Sequence, residues 1–300
     1  MIELKFSEEV RLAKDKGLPL VALESTIITH GLPSPRNLTV ARQAEAEVRQ
    51  AGAIPATIAV IDGHLHIGLS DEQLEQLSVA KDVWKLSRAD LAVAISQKVT
   101  GATTVAATMI AAHLAGISVF ATGGIGGVHR GAESDFDVSA DLEELAKTPV
   151  TVVSAGAKAI LDLPKTLEVL ETKGVPVIGY QTNELPAFWS HESGLDVPLR
   201  MDSAAEIAAA FQTRQALGLA GGQLVANPVP EADEIQASVI NPAIEQAIET
   251  AIKKGIKGKA ITPFLLAQVL EATEGKSLET NVALLLNNCR LAAEIAKDLS

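Results

Sequence analysis

The chain carries a single cysteine, Cys289, among its 300 residues. No internal disulfide can form, so the fold rests on packing, as in proteins of reducing compartments. Aromatic residues make up only 3%, so a core must be assembled from Ala, Val, Leu and Ile. Basic residues are in deficit: 25 Lys and Arg against 37 Asp and Glu leave a net charge of −12. A nucleic-acid surface needs an excess of positive charge, so no nucleic-acid partner is expected; a phosphorylated small molecule needs only local donors. No apolar run is long enough to span a bilayer. The N-terminal MIELKFSEEVRLAKDKG is charged and amphipathic, unlike a signal peptide. The expectation is a cytoplasmic protein without a membrane partner.

What the chain does hold is 47% hydrophobic residues, ample for a large core. Its length is at the upper limit for one domain, and one domain over residues 1–300 is expected. Apolar runs at 19–23, 54–61, 91–95, 117–120, 150–153, 175–179 and 223–226 read as strands. Residues 54–61 and 64–69, joined by Asp62-Gly63, carry a hairpin signal. Helices are read at 8–16, from Ser34-Pro35 to 51, from the capping box Ser70–Gln73, over the small residues 101–115, at 162–173 and at 203–217. Asn241-Pro242, Thr262-Pro263 and Ser277 mark further helix starts. Strands alternating with helices define an α/β protein, a three-layer α/β/α arrangement with a largely parallel, mixed central sheet. Functional groups in such sheets collect beyond the carboxyl ends of strands.

The stretch Phe120 to Asp162 concentrates the chemistry. Four glycines, Gly123, Gly124, Gly126 and Gly127, follow one apolar run. They fit neither G-x-G-x-x-G, since His129 occupies the third glycine position, nor a P-loop. A tight, closely packed turn and an anion or substrate loop both remain open. Asp135, Asp137 and Asp141 are spaced like oxygen ligands of a hard divalent cation, although Ser139 and Asp141 also suit a helix N-terminus. Lys158 follows Ser154-Ala-Gly-Ala among small apolar neighbours. It reads either as an ordinary surface lysine or as a desolvated amine able to form a Schiff base. Glu24, at the end of an apolar run, is either an exposed strand end or an acid/base. His64 and His66 share one side of a strand, which fits a hairpin face better than a metal site without a third ligand.

Several blocks together resemble the pseudouridine-5′-phosphate glycosidase family, also called indigoidine synthase A-like. They are Glu24-Ser-Thr-Ile-Ile-Thr-His-Gly, Gly101-Ala-Thr-Thr-Val-Ala-Ala-Thr-Met, Phe120–Asp141, Ser154-Ala-Gly-Ala-Lys158, Gly179-Tyr-Gln-Thr, Asn227-Pro and Thr262-Pro-Phe-Leu-Leu. The resemblance runs from about residue 6 to the C-terminus. It implies reversible cleavage of a carbon–carbon glycosidic bond, giving uracil and ribose 5-phosphate, with Mn²⁺ or another divalent cation, by a homotrimer of α/β/α subunits. Carried over residue by residue, it implies Lys158 as the nucleophile, Glu24 as the proton donor and Asp137 as the metal ligand. It further implies that Lys85, Val105, Ser139, Ala140, Asp141, His129 and Asn281 contact the substrate. Lys85 owes its place wholly to the resemblance. Arg130, His129, Thr122 and backbone N–H groups are all open as phosphate donors. A Schiff-base aldolase and a non-catalytic binding protein are the rival readings.

Overall fold

The computed structural model describes residues 2–256, 258 and 261–300. Along the chain come β1 (Leu4–Phe6), α1 (Glu8–Asp15), β2 (Leu20–Glu24), a π-turn (Ile27–Gly31), α2 (Arg36–Gln50), β3 (Ile54–Ile61), β4 (His64–Ile67), α3 (Asp71–Val79), β5 (Trp84–Leu86), α4 (Arg88–Ser96), β6 (Gly101–Thr103) and α5 (Val105–Leu114). Then follow β7 (Val119–Ala121), α6 (Ala132–Asp135), α7 (Ala140–Lys147), β8 (Thr151–Ser154), α8 (Leu163–Thr172), β9 (Val177–Tyr180), β10 (Leu199–Met201), α9 (Ala204–Ala216), β11 (Gln223–Ala226), α10 (Ala237–Lys253), α11 (Ile261–Ala272) and α12 (Lys276–Asp298).

The strands form one sheet in the order β1-β4-β3-β2-β7-β8-β11-β9-β10. Every pair along that path is parallel except the β3–β4 hairpin. Helices cover it on both faces: α12 packs on β2, β7 and β8 together with α2 and α9, and α5 packs on β2, β3 and β7 together with α4 and α7. The expected α/β class with a mostly parallel, mixed sheet is what forms. The core is aliphatic, as the scarcity of aromatics requires, and extends from Val10 to Ala296.

The strands β5 and β6 lie off the main path. β2 pairs with β3 only as far as Glu24 opposite Ile58. Beyond that point β6 takes its place, antiparallel, with Ala102 opposite Ala59 and Gly101 opposite Val60. β2 and β6 therefore meet end to end. The junction is sealed by Ser25 and Thr103, whose hydroxyls both donate to the Ile58 carbonyl at 2.7 Å.

Four expectations need correction. Residues 101–115 are not one helix: 101–103 extend as β6, because their backbone completes the ladder that β2 abandons, and Thr104 starts α5. Residues 91–95 lie inside α4, not in a strand. A short apolar run fits either element, and here the Asp90 carboxylate accepts from the Ser87 N–H at 2.9 Å and starts a helix. Pro242 does not begin α10 but sits inside it. It deprives only the carbonyl of Ser238, an exposed residue near the helix start where water can serve instead. The cap of α2 likewise falls on Pro35 rather than Ser34.

Candidate active site

Residues 120–124 and 153–158 continue as a parallel pair beyond the sheet. Thr122 donates its N–H to Val153 O, Ala155 to Gly123 O, Ile125 to Gly156 O and Lys158 to Ile125 O, each at 3.0–3.1 Å. This zipper turns the Lys158 side chain back over the glycine loop, where Nζ donates to the Gly124 carbonyl at 2.7 Å. Lys158 is thus half-buried and fixed, not a free surface lysine. Glu24, at the end of the neighbouring β2, accepts from the hydroxyls of Thr26 and Thr122. Those two donors hold its carboxylate at the same edge of the sheet.

The glycines are explained by close packing. A Cβ on Gly124 would lie 2.7 Å from the Phe188 ring, and one on Gly126 would lie 2.3 Å from Ser139 Oγ. Gly126 also donates its N–H to Asp141 at 2.8 Å, while the other Asp141 oxygen accepts from Ala106 N at 2.9 Å. Buried Asp141 therefore ties the glycine loop to the first turn of α5, with both oxygens engaged by backbone. Ser139 caps α7, its hydroxyl accepting from Asp141 N at 3.2 Å, and Ala140 opens that helix.

Lys85 reaches this region from the other side. On β5 it stands opposite Ala102 of β6, directly before the α5 start at Thr104-Val105. Val105 is buried, and the buried Thr104 hydroxyl has no partner among the described residues. The ring of His129 links the two sides. Burial pulls its pKa below the ordinary value, Asp137 and Asp135 push it up, and the positive charges of Lys158 and Lys85 push it down. His129, Asp137, Lys158 and Lys85 therefore share one electrostatic neighbourhood. The loop bearing them is held by Val128 pairing with Val138 and by the His129 N–H donating to Asp137 O at 3.0 Å. Phe136, between the two aspartates, is 84% exposed in a left-handed conformation.

The three aspartates do not converge. Asp141 is drawn to α5, and the Asp135 carboxylate accepts from Asp137 N at 3.1 Å. Among the described residues, no group of three or more His, Cys, Asp or Glu gathers around a metal position. The half-exposed Asp137 carboxylate accepts no hydrogen bond from the described residues, which suits a cation held by one carboxylate and completed by waters. His64 and His66 remain a hairpin feature on β4.

Asn281 enters from α12, where its Oδ1 accepts from Trp189 Nε1 at 2.7 Å. Two turns on, Asn288 donates to Thr122 O at 2.8 Å and accepts from Asn227 at 3.0 Å. Sequence reasoning missed the roles of Thr26, Thr104 and Asn288, and offered Thr122 as a phosphate donor, not as the partner of Glu24 that it is. Only Asn288 carried a signal, as an amide on the apolar face of a long helix.

A half-buried lysine, a hydroxyl-held glutamate and a glycine loop at one edge of an α/β sheet suit an enzyme that handles a carbonyl or a sugar. The chain belongs to the family described as "Indigoidine synthase A like protein", whose model matches residues 9–298. It is 65% identical to the pseudouridine-5′-phosphate glycosidase of Roseobacter denitrificans, over 99% of this chain and 96% of the relative. It is 63% identical to that of a Jannaschia species, over 100% and 99%. Among solved structures it is similar to the prealnumycin C-glycosynthase AlnA in complex with ribulose 5-phosphate (TM-score 0.91, 40% identity, 99% and 96% covered). It is also similar to the Thermotoga maritima indigoidine synthase A-like protein (TM-score 0.89, 35% identity, 99% and 97% covered).

Proposed function

We propose that the chain reversibly cleaves the carbon–carbon glycosidic bond of pseudouridine 5′-phosphate, giving uracil and ribose 5-phosphate, with Lys158 carrying the sugar. The observation behind this reading is the half-buried Lys158 amine, fixed on the Gly124 carbonyl at the sheet edge that also carries Glu24. Likeness to glycosidases named for this substrate supports it.

A carbon–carbon bond offers no leaving oxygen or nitrogen to protonate, so the usual pair of carboxylates is insufficient. The ribose ring opens as its ring oxygen takes a proton, and the Lys158 nitrogen bonds to C1′. Protonation of uracil C5 then lets the C1′–C5 bond break. Its electrons return to the base, while the nitrogen lone pair forms an iminium at C1′. Water adds to the iminium, releasing ribose 5-phosphate and restoring the amine. Glu24, aligned by Thr26 and Thr122, moves the protons.

The phosphate is assigned to the α5 N-terminus, where the helix dipole, Val105 and a Thr104 hydroxyl without a partner among the described residues adjoin the strand that carries Lys85. Asp137 would hold Mn²⁺ or another divalent cation, which would supply positive charge near the substrate. The working form is read as a cytoplasmic homotrimer; among the described residues no helix is long and apolar enough to cross a membrane.

The test is reductive trapping. The protein is incubated with ribose 5-phosphate, treated with borohydride and digested. An adduct on Lys158 is expected. Consumption of pseudouridine 5′-phosphate without an adduct would overturn the lysine mechanism. Activity on deoxyribose 5-phosphate alone would favour an aldolase, and binding without turnover a non-catalytic protein. Chelation should lower the activity, added Mn²⁺ should restore it, and D137A should no longer respond to the added metal.

A further inference from the structure

The carboxylate of Glu144 is buried in the core and has no part in the mechanism above. It lies on α7, one turn beyond Asp141, with its side chain 1% exposed. One oxygen accepts from the Thr148 hydroxyl a turn further on. The other accepts from Arg88, the one cation paired with Glu144 among the described residues. A carboxylate withdrawn from water in this way is tolerated only when a positive charge offsets it.

Arg88 is an unfavourable choice for its own helix. It is the first residue of α4, where the helix dipole disfavours a cation. Local preference does not explain it; a partner 56 residues away does. Stability does not explain the pair either, because a buried ion pair can be exchanged for apolar residues at little or no cost. What an ion pair adds is a fixed geometry between the elements that carry it.

Those elements lead to the site from two directions. Arg88 comes three residues after Lys85, at the end of β5. That strand is three residues long and, among the described residues, pairs with β6 alone. Its last carbonyl, on Leu86, accepts from the N–H of Thr104, the cap of α5, at 2.9 Å. On the other arm, Glu144 stands one turn from Asp141, whose two oxygens hold the N–H groups of Gly126 and Ala106. The Arg88–Glu144 contact therefore closes a ring. It runs from β5 through α4 to α7, and returns through Asp141 to the start of α5.

We propose that Arg88 is a positioning residue for the anion end of the site. Paired with Glu144, it holds β5, and Lys85 with it, at a fixed place beside the α5 N-terminus. The inference rests on the reading that the substrate phosphate binds there. Arg88 itself acts at one remove, through the strand it anchors.

The test measures kcat and KM for pseudouridine 5′-phosphate, the inhibition constant of inorganic phosphate and the denaturation midpoint. R88A should raise KM and the phosphate inhibition constant together, about tenfold, with kcat within about twofold of wild type. Because R88A strands the Glu144 carboxylate in the core, R88M/E144L makes the same comparison without a buried charge. Its midpoint should match or exceed wild type while KM and the phosphate constant stay raised. R88K keeps a charge for Glu144 without the planar fork and should fall between wild type and R88A. A merely structural pair would move the midpoint and leave both constants alone. Wild-type constants in R88M/E144L, or a fall in kcat at unchanged KM, would overturn the inference while wild-type turnover stands. Absence of wild-type turnover would overturn the reading beneath it, and the inference with it.

Discussion

On one side of Glu24, the strands β7, β8 and β11 run parallel to β2 and deliver Thr122, Lys158 and Asn227 at their carboxyl ends. On the other side, β6 runs antiparallel to β3 and meets β2 head on, bringing Lys85 and the α5 N-terminus from the opposite direction. Under the proposed function, the parallel side carries the groups that make and break bonds. The antiparallel side carries the groups that suit an anion. In that reading one edge holds both ends of a sugar phosphate; Asp141 ties the glycine loop to the α5 start, and His129 feels the charges of both Lys158 and Lys85.

Substitutions on the two sides should therefore fail differently. The largest effect is expected for K158A, where loss of the proposed nucleophile should lower kcat at least about 10³-fold and abolish borohydride trapping. K85A should instead raise KM about 10- to 100-fold, with a smaller change in kcat, and should remove competition by inorganic phosphate. If K85A lowered kcat as deeply as K158A at unchanged KM, the division between the sides would be wrong.

D141N strikes the bridge. Its amide can keep one backbone donor but sets NH₂ against the other, which should cost about 2 kcal/mol, readable in the denaturation midpoint. The smallest effect concerns pH. The folded-state pKa of His129 is depressed, chiefly by burial, so the unfolded chain takes up the proton first. Stability should be fully present above about pH 6.5 and fall as the pH drops through the window between that value and the depressed folded one. H129N should flatten that slope. An unchanged slope in the variant would show that other groups carry it; His30 and His66 are also depressed by burial.

The parallel side was legible in the chain. The runs ending at Glu24, Phe120 and Val153 have the length and apolarity of buried strands, and the polar residues just beyond them mark a functional edge. The antiparallel side was not. Residues 84–86 and 101–103 are too short to show a period. They extend because β2 leaves β3 unpaired beyond Ile58, a condition set far away in sequence. Lys85 consequently looked like any other lysine, and Thr104 like the middle of a helix. The aspartate cluster shows the converse error. The spacing of Asp135, Asp137 and Asp141 invited a shared cation, but two backbone N–H groups on separate elements hold Asp141 instead.

Composition and local pattern by themselves determined the aliphatic core, the α/β class, the hairpin at Asp62-Gly63 and the lysine and glutamate at strand ends. These depend on nearest-neighbour geometry and on the burial of apolar runs. Only the tertiary structure decided that Lys85 lies opposite Ala102 next to the α5 start, that Asp141 is a tie and that Trp189 donates to the Asn281 oxygen. Each of those is a contact between distant segments, and its geometry exists only after the sheet has brought the two segments to the same edge.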